Sequence, residues 1–218
     1  SFGNSADGKG NYITHGISVM KYLFIVQGEG RGHLTQAISL SQMLRHHGHE
    51  VVEVLVGKSS NREIPSFFLE KIGAKVKTFA SPNFCYGRDH KKVKLAKSIL
   101  LNITVKKLRE YRKSVNLIHR HIQKMEPDVV INFYEILAGL VNLRFREHVP
   151  FVCIAHQFLM KHPDYQYGNG TRKEEILLRL NNTLCSIGAT KTLALSFYPL
   201  KDFYQERMAV VPPLLREE

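Results

Sequence analysis

The 218-residue sequence has few cysteines, no long apolar run and no secretory signal, and each shortage excludes a class of protein. Cys85, Cys153 and Cys185 are too few and too widely spaced for a disulfide scaffold or a zinc ribbon. No stretch approaches the roughly 20 consecutive apolar residues that a membrane-spanning helix needs. Without a signal peptide or disulfide framework, we expect a cytoplasmic protein.

Two further absences concern nucleotide and metal chemistry. The sequence contains no GxxxxGK[ST] motif, which disfavours phosphate binding of the P-loop type. It also contains no Asp-x-Asp pair, and a metal-bridged diphosphate requires clustered acids. We therefore expect no metal site. The nearby His46, His47 and His49 are interpreted as cations that close a helix beside Gly48.

What the sequence does have is a regular alternation of apolar runs and helical patterns. Each run is short and apolar at both its odd and its even positions. Because alternate side chains of a strand point to opposite faces of the sheet, this pattern is typical of strands that are covered on both faces. The runs are Tyr22–Val26, Val51–Val56, Lys75–Phe79, Asp128–Ile131, Phe151–Ala155, Lys191–Leu195 and Met208–Val211. Helical patterns between them cover His33–His47, Lys92–Lys124, Glu135–Glu147 and Arg172–Ile187. The alternation predicts an α/β fold, a Rossmann-like doubly wound parallel sheet of about seven strands.

The chain has no linker rich in proline, glycine and serine, so we expect a single domain. Its first 19 residues, up to Val19, are rich in small polar residues and have no sustained period. We interpret residues 1–19 as a tag or non-native leader, with Met20 as the natural start. The expected domain therefore covers residues 20–218.

The loop after the first strand contains the strongest ligand-binding pattern. Residues 28–33 read Gly-Glu-Gly-Arg-Gly-His, and a helix begins near the histidine. Glycines allow a close backbone approach, and a helix N-terminus attracts anions. The spacing departs from the dinucleotide fingerprint, because His33 stands where GxGxxG has its third glycine. Ligands of such sheets bind beyond the carboxyl ends of the strands, so this loop is a candidate site.

Positive charge is concentrated in one segment. The chain has 31 lysines and arginines against 19 acids, a net charge of +12. Between Ser81 and Met125 lie twelve basic residues and only two acids. Within this segment an apolar stripe at helical spacing predicts docking on the sheet: Leu108, Tyr111, Val115, Ile118 and Ile122. The remaining surface of Lys91–Lys124 suits an anionic membrane, which would place the protein peripherally on the inner membrane face. Nucleic acid is less favoured because no RNA-binding motif accompanies the charge, and an ordinary solvated face is a third interpretation.

These motifs resemble a known family. The loop from Gly28 to His33 and the later Gly48-His49-Glu50-Val51 are similar to the N-terminal half of GT-B glycosyltransferases. The resemblance is strongest to the bacterial relatives of the UDP-glucuronosyltransferases and of the lipid II N-acetylglucosaminyltransferase. Weaker matches are Pro127-Asp128 and Val210-Val211-Pro212-Pro213, so the similarity spans nearly all of residues 20–218.

The resemblance implies a function, with the donor and the acceptor bound by different domains. A GT-B enzyme has two such domains, and the C-terminal one holds the nucleotide-sugar donor. We therefore expect this chain to be the acceptor-side domain, with the donor-binding domain absent and the fragment alone inactive. The implied reaction transfers a sugar, as in hexosyltransferases, from a nucleotide-sugar to a hydroxyl acceptor, with a lipid-linked acceptor as one interpretation. No cofactor beyond the donor is implied.

The resemblance also implies site residues. His33 matches the histidine that acts as general base on the acceptor hydroxyl. In many relatives an Asp after the fourth strand orients that histidine, but Phe133 stands at the corresponding position here. Glu135 or Glu29 could replace it, and we name Glu135 as the second catalytic candidate. The substrate-binding candidates are Gly28, Glu29, Gly30, Arg31, Gly32, His156 and Gln157.

Two alternatives from other classes remain open. The first is an enzyme related to the nucleotide-sugar 2-epimerases, which share the two-domain fold but usually lack the Gly-His start. The second is a basic module that binds nucleic acid or membrane without catalysis.

Overall fold

The computed structural model of the chain describes residues 18–82, 104–165 and 172–214. Its strands are β1 Lys21–Gln27, β2 Glu50–Lys58, β3 Val76–Ala80, β4 Val129–Phe133, β5 Phe151–Ala155, β6 Lys191–Leu195 and β7 Met208–Val211. All seven pair in parallel in one sheet of order β3-β2-β1-β4-β5-β6-β7. The predicted α/β fold with a parallel sheet of about seven strands is therefore confirmed.

The strand order contains one switch point, between β1 and β4. From β1 the chain builds outward through β2 and β3, and it then returns to build outward in the other direction from β4. The loops that leave β1 and β4 consequently diverge at the carboxyl edge of the sheet. In doubly wound sheets this divergence opens the crevice in which ligands bind.

Five helices and two 3₁₀ turns connect the strands in the described residues. The helices are α1 Arg31–His46, α2 Ser66–Lys71, α3 Val105–Met125, α4 Ile136–Phe145 and α5 Arg172–Cys185. The 3₁₀ turns are His156–Lys161 and Tyr204–Glu206. The sequence analysis missed α2 and both turns, because they are too short to show a period. The first part of the predicted helix Lys92–Lys124, up to residue 103, lies outside the described residues.

The core has two layers, one on each face of the sheet. On one face, Phe24, Val54 and Phe133 pack with Leu34 and Ile38 of α1. On the other face, strand residues pack against α3 and α4: Leu23, Ile25, Leu55 and Val130 meet Val115, Ile118 and Leu137. The side chains on both faces of the strands are therefore buried, which is why the strands appear in the sequence as continuous apolar runs. Each such side chain contributes roughly 1.5–3 kcal/mol when it is fully buried.

Helix α3 docks through only part of its apolar stripe. Thr104 caps its N-terminus by accepting from the Lys107 backbone N–H at 3.3 Å. Val115 and Ile118 are buried, whereas Leu108 is 50% exposed, so the predicted stripe is wrong at its first position. The next residue of the stripe, Tyr111, is half-buried and packs against the core. Among the described residues, no helix is long and apolar enough to cross a membrane.

Candidate functional site

The glycine loop lies at the carboxyl end of β1, where it approaches the end of β2 closely. The Gly28 backbone N–H donates to the Gly57 carbonyl at 2.7 Å. A Cβ at Gly28 would lie 2.7 Å from the same oxygen, so no larger residue fits without movement. Gly32, by contrast, has nothing within 4 Å of a Cβ position. Packing therefore requires only the first glycine, and the loop is open to solvent at Gly32.

Two side chains join this loop to the segment that follows β2. Glu29 Oε1 accepts from the Ser59 backbone N–H at 2.6 Å. Arg62 Nε donates to the Gly28 carbonyl at 3.3 Å. Glu29 thus holds the two loops together at this edge. Arg31, another predicted substrate-binding residue, is exposed at the start of α1, and Gly30 is the residue that precedes the helix.

His33 lies in the first turn of α1 and is 7% exposed. Its ring stacks on Tyr134, with ring centroids 5.4 Å apart and an interplanar angle of 20°. Its Nε2 lies 3.4 Å from the side-chain amide nitrogen of Gln157. Burial, and to a lesser degree the proximity of His156, lowers the pKa of His33 to about 4. The imidazole is therefore neutral and able to accept a proton throughout the physiological range.

Tyr134 owes its position to an unusual backbone conformation directly after β4. Its φ of 61° lies in the left-handed region, which costs a non-glycine residue free energy. The ring packs edge-on against Phe158, 5.6 Å away, and the hydroxyl donates to Asn182 Oδ1 at 2.6 Å. Phe133, at the position where relatives have an Asp, is buried against Phe24. An aromatic ring therefore lies where the resemblance implied a carboxylate.

Glu135 is fully buried, and its carboxyl lies against Gly57 of β2 and Ser81, the residue after β3. Its Oε1 accepts from Ser81 Oγ at 2.6 Å and from the Leu137 backbone N–H at 3.1 Å, which caps α4. The other oxygen packs on Gly57, where a Cβ would collide with it. Burial, and to a lesser degree the nearby Glu29, raises the pKa of Glu135 to about 7. The hydrogen bonds of the Glu135 carboxyl go to Ser81 and the Leu137 N–H and not to His33, and its catalytic role stays a prediction.

Two of the predicted residues, His156 and Gln157, directly follow β5 and lie close to His33. His156 and Gln157 begin a 3₁₀ turn at the carboxyl edge, His156 exposed and Gln157 half-buried. Gln157 contacts the His33 ring, and His156 lies close enough to affect the pKa of His33. His33, His156 and Gln157 therefore lie together, next to the glycine loop that precedes His33.

A pocket of about 250 Å³ lies on the other side of the glycine loop, between the ends of β2 and β3 and the first half of α3. The sequence analysis did not predict it. Its lining is mostly polar: Lys58, Ser59, Ser60, Thr78, Phe79, Ala80, Ser81, Lys107, Glu110 and Tyr111. The polar run after the second strand is a signal that could have indicated part of this pocket. In the described ranges, no three His, Cys, Asp or Glu side chains are grouped to hold a metal ion.

Comparison with known proteins gives one family and a set of related folds. The family described as glycosyl transferase family 1 matches residues 20–218. A search of curated proteins finds no significant match. Among solved structures, TcCGT1 in complex with UDP is 12% identical with a TM-score of 0.56, covering 91% of this chain and 52% of its own. Arabidopsis thaliana UGT89C1 complexed with UDP-L-rhamnose is 13% identical with a TM-score of 0.52, covering 92% and 53%.

A third structure has a different activity in its description. A putative UDP-N-acetylglucosamine 2-epimerase from Listeria monocytogenes is 11% identical with a TM-score of 0.50, covering 82% of this chain and 39% of that one. At these identities the likeness shows the fold alone, one half of a GT-B architecture. The chain spans about half the length, or less, of the structures it matches.

Proposed function

Because the chain belongs to glycosyl transferase family 1, we propose that it is the acceptor-binding domain of an enzyme that transfers a sugar from a nucleotide-sugar to a hydroxyl group. The acceptor would lie in the crevice at the switch point between β1 and β4. The observation that supports this best is the neutral imidazole of His33 at that crevice, beside an open glycine loop. In keeping with the resemblance, the donor would be held mainly by a second α/β domain.

His33 is the candidate base for the acceptor hydroxyl. Gln157 lies against Nε2, so a hydroxyl that reaches this nitrogen must displace the amide. A pKa of about 4 makes the free imidazole a weak base. A bound nucleotide-sugar brings negative charge, which favours the protonated imidazole and raises its pKa toward neutrality. The proposed enzyme therefore increases the basicity of His33 only when the donor is present.

The test uses the full-length protein in a screen of nucleotide-sugars and hydroxyl acceptors. His33→Ala should lower kcat by roughly 10²–10⁴-fold if His33 is the base. His46→Ala is the matched control, because His46 is exposed at the far end of the same helix. A His33→Ala enzyme with unimpaired kcat would remove the base assignment. A product in which the nucleotide-sugar itself is epimerised, with no transfer, would instead support the epimerase alternative.

We further propose that the acceptor lies on an anionic membrane, to which the face formed by α3, α4 and α5 attaches. Six basic side chains of α3 are exposed: Lys106, Arg109, Arg112, Lys113, Arg120 and Lys124. The same face exposes Leu108 of α3 and Leu143 of α4, the latter 61% exposed. Cations attract anionic headgroups, and exposed leucines enter the bilayer boundary. The earlier part of Lys91–Lys124, up to residue 103, lies outside the described residues.

Vesicle co-sedimentation tests this attachment. The protein should bind vesicles containing phosphatidylserine at low salt, and Leu108→Glu with Leu143→Glu should weaken binding several-fold. Leu69→Glu is the matched control, since Leu69 is 52% exposed on α2, which packs on the opposite face of the sheet. An absence of binding to anionic vesicles at low salt would discard the membrane proposal. The glycosyltransferase proposal would be unaffected.

A further inference from the structure

We propose that Asn182 of α5 is a positioning residue for His33, acting through Tyr134 and Gln157. Asn182 is fully buried, and both polar groups of its side chain are used. Its Oδ1 accepts from the Tyr134 hydroxyl at 2.6 Å, and its Nδ2 donates to the Gln157 carbonyl at 2.8 Å. One buried amide therefore joins the two residues that contact the face and the edge of the His33 ring.

The first connection fixes the stacked ring. Tyr134 lies between the rings of His33 and Phe158, at centroid distances of 5.4 Å and 5.6 Å. Its backbone is in the left-handed region, which a tyrosine adopts only when its surroundings hold it there. The hydroxyl bond to Asn182 supplies one such restraint at the far end of the ring. Loss of this bond frees the ring to move away from His33.

The second connection fixes the amide at the edge of the imidazole. Gln157 belongs to the 3₁₀ turn that follows β5, and the Asn182 side chain binds its backbone carbonyl. This bond restrains the turn and thereby the Gln157 side chain, whose amide nitrogen is 3.4 Å from His33 Nε2. The amide nitrogen can donate only to an unprotonated Nε2, so this contact favours the tautomer with the imidazole proton on Nδ1.

The network consists of neutral groups alone. A carboxylate that orients a histidine also stabilises its protonated form, whereas an aromatic ring and an amide orient it without that effect. In this structure the Glu135 carboxyl is bound to Ser81 instead. The neighbours that orient the His33 ring therefore do not stabilise its protonated form. Asn182 contributes to this orientation through its bonds to the Tyr134 hydroxyl and the Gln157 carbonyl.

The test follows the His33 imidazole by NMR in the 218-residue chain, with its signal assigned by loss in His33→Gln. In the wild type, the Cε1–H resonance should not titrate above about pH 5, because its pKa is about 4. Asn182→Ala should admit water around the ring and raise that pKa by about one unit. It should also change the ¹⁵N shifts that report the tautomer. Asn181→Ala is the matched control, since Asn181 precedes it on the same helix and is only half-buried.

Tyr134→Phe provides a second variant, because it keeps the stacked ring and removes the hydroxyl that donates to Asn182. It should reproduce part of the Asn182→Ala change, and the double variant should show less than the sum of the two. A folded Asn182→Ala protein whose His33 pKa and tautomer equal the wild-type values overturns the proposal, even if its melting temperature falls. If Asn182→Ala does not fold, an unchanged His33 signal in Tyr134→Phe overturns it.

The catalytic consequence rests on the proposed function. In the full-length enzyme, Asn182→Ala should lower kcat roughly tenfold and leave the KM of the donor nearly unchanged, because it misplaces the base without touching the donor. The two hypotheses fail separately. If His33→Ala retains full kcat while Asn182→Ala still shifts the imidazole signal, the base assignment is wrong and the positioning network stands.

Discussion

The carboxyl end of β4 separates two buried titratable groups, His33 on one side and Glu135 on the other. Both are removed from water, and burial acts on them in opposite directions, lowering the pKa of His33 to about 4 and raising that of Glu135 to about 7. The same physical cause favours the neutral form in each case, since a charge is costly in a poorly solvated site. What differs is the partner. His33 has an aromatic ring and an amide, whereas Glu135 has a hydroxyl and a helix N-terminus.

One backbone angle, the φ of Tyr134, accompanies the different directions of the Tyr134 and Glu135 side chains. Tyr134 and Glu135 are consecutive, yet Tyr134 contacts His33 in α1, whereas Glu135 contacts Gly57 near the end of β2 and Ser81 directly after β3. The left-handed conformation of Tyr134 makes this divergence possible. The histidine consequently remains without a carboxylate partner, and the acid stabilises the fold by capping α4.

The two groups also affect stability in opposite directions as the pH changes. The free energy of unfolding rises with pH wherever the unfolded state binds more protons than the folded state. Between pH 4.5 and about 7 the folded state holds the Glu135 proton and the unfolded state does not, so stability falls as the pH rises. Between about pH 4 and 6.5 the unfolded state binds the His33 proton, so stability rises. The two effects should largely cancel in the wild type, and single variants should reveal them.

The largest expected effect is that of Glu135→Gln. Removal of the buried carboxyl should abolish the loss of stability above pH 4.5 and leave the variant more stable than the wild type at pH 8 by up to roughly 3 kcal/mol. The amide oxygen can still accept from Ser81 and from the Leu137 N–H. Urea denaturation at pH 5, 6.5 and 8 measures the difference, with the exposed Glu70→Gln on α2 as control. A difference from the wild type that is the same at all three pH values would contradict the assigned pKa.

His33→Gln should show the opposite pattern, over a range that acid denaturation partly obscures. The wild type loses stability as the pH falls from 6.5 toward 4, because its unfolded chain takes up a proton that the buried imidazole refuses. The variant lacks this loss, so it should gain about 1–2 kcal/mol relative to the wild type between pH 7 and pH 5. His46→Gln, an exposed histidine of the same helix, should gain nothing. Thermal or urea denaturation at pH 7 and pH 5 measures the free energy of unfolding of each variant. An equal change in the two variants would contradict the burial of His33.

In the glycine loop, two similar substitutions should differ in sign, and Gly32→Ala should have the smallest effect of all these variants. Gly28→Ala places a methyl group against the Gly57 carbonyl and Val56, and it should cost about 1–3 kcal/mol. Gly32→Ala meets open space in the first turn of α1, and it should stabilise the protein by up to about 1 kcal/mol through helix propensity. The midpoints of urea denaturation compare the stability of Gly28→Ala with that of Gly32→Ala. Equal destabilisation by both substitutions would contradict the distinction between them.

The regular elements could largely be predicted because burial leaves a local trace. The strands β5, β6 and β7 match their apolar runs to the residue, and β1 extends one residue beyond its run at each end. The position of His33 at the carboxyl edge could also be predicted, since a loop after a strand must lie there. Its neighbours could not. Phe133 at the expected Asp position suggested Glu135 as a substitute, whereas in the structure the Glu135 carboxyl binds Ser81 and the Leu137 N–H.

The sequence by itself determined the class of fold, the glycine-histidine loop and the concentration of positive charge, because periodicity, backbone freedom and charge are properties of neighbouring residues. The tertiary structure alone decided that β1 lies beside β4 and that Ser81, rather than His33, binds Glu135. It also brought Asn182 to Tyr134, 48 residues away along the chain. Contacts of this kind depend on which strands pair and on which way each side chain leaves its strand, and no local pattern in the sequence records either.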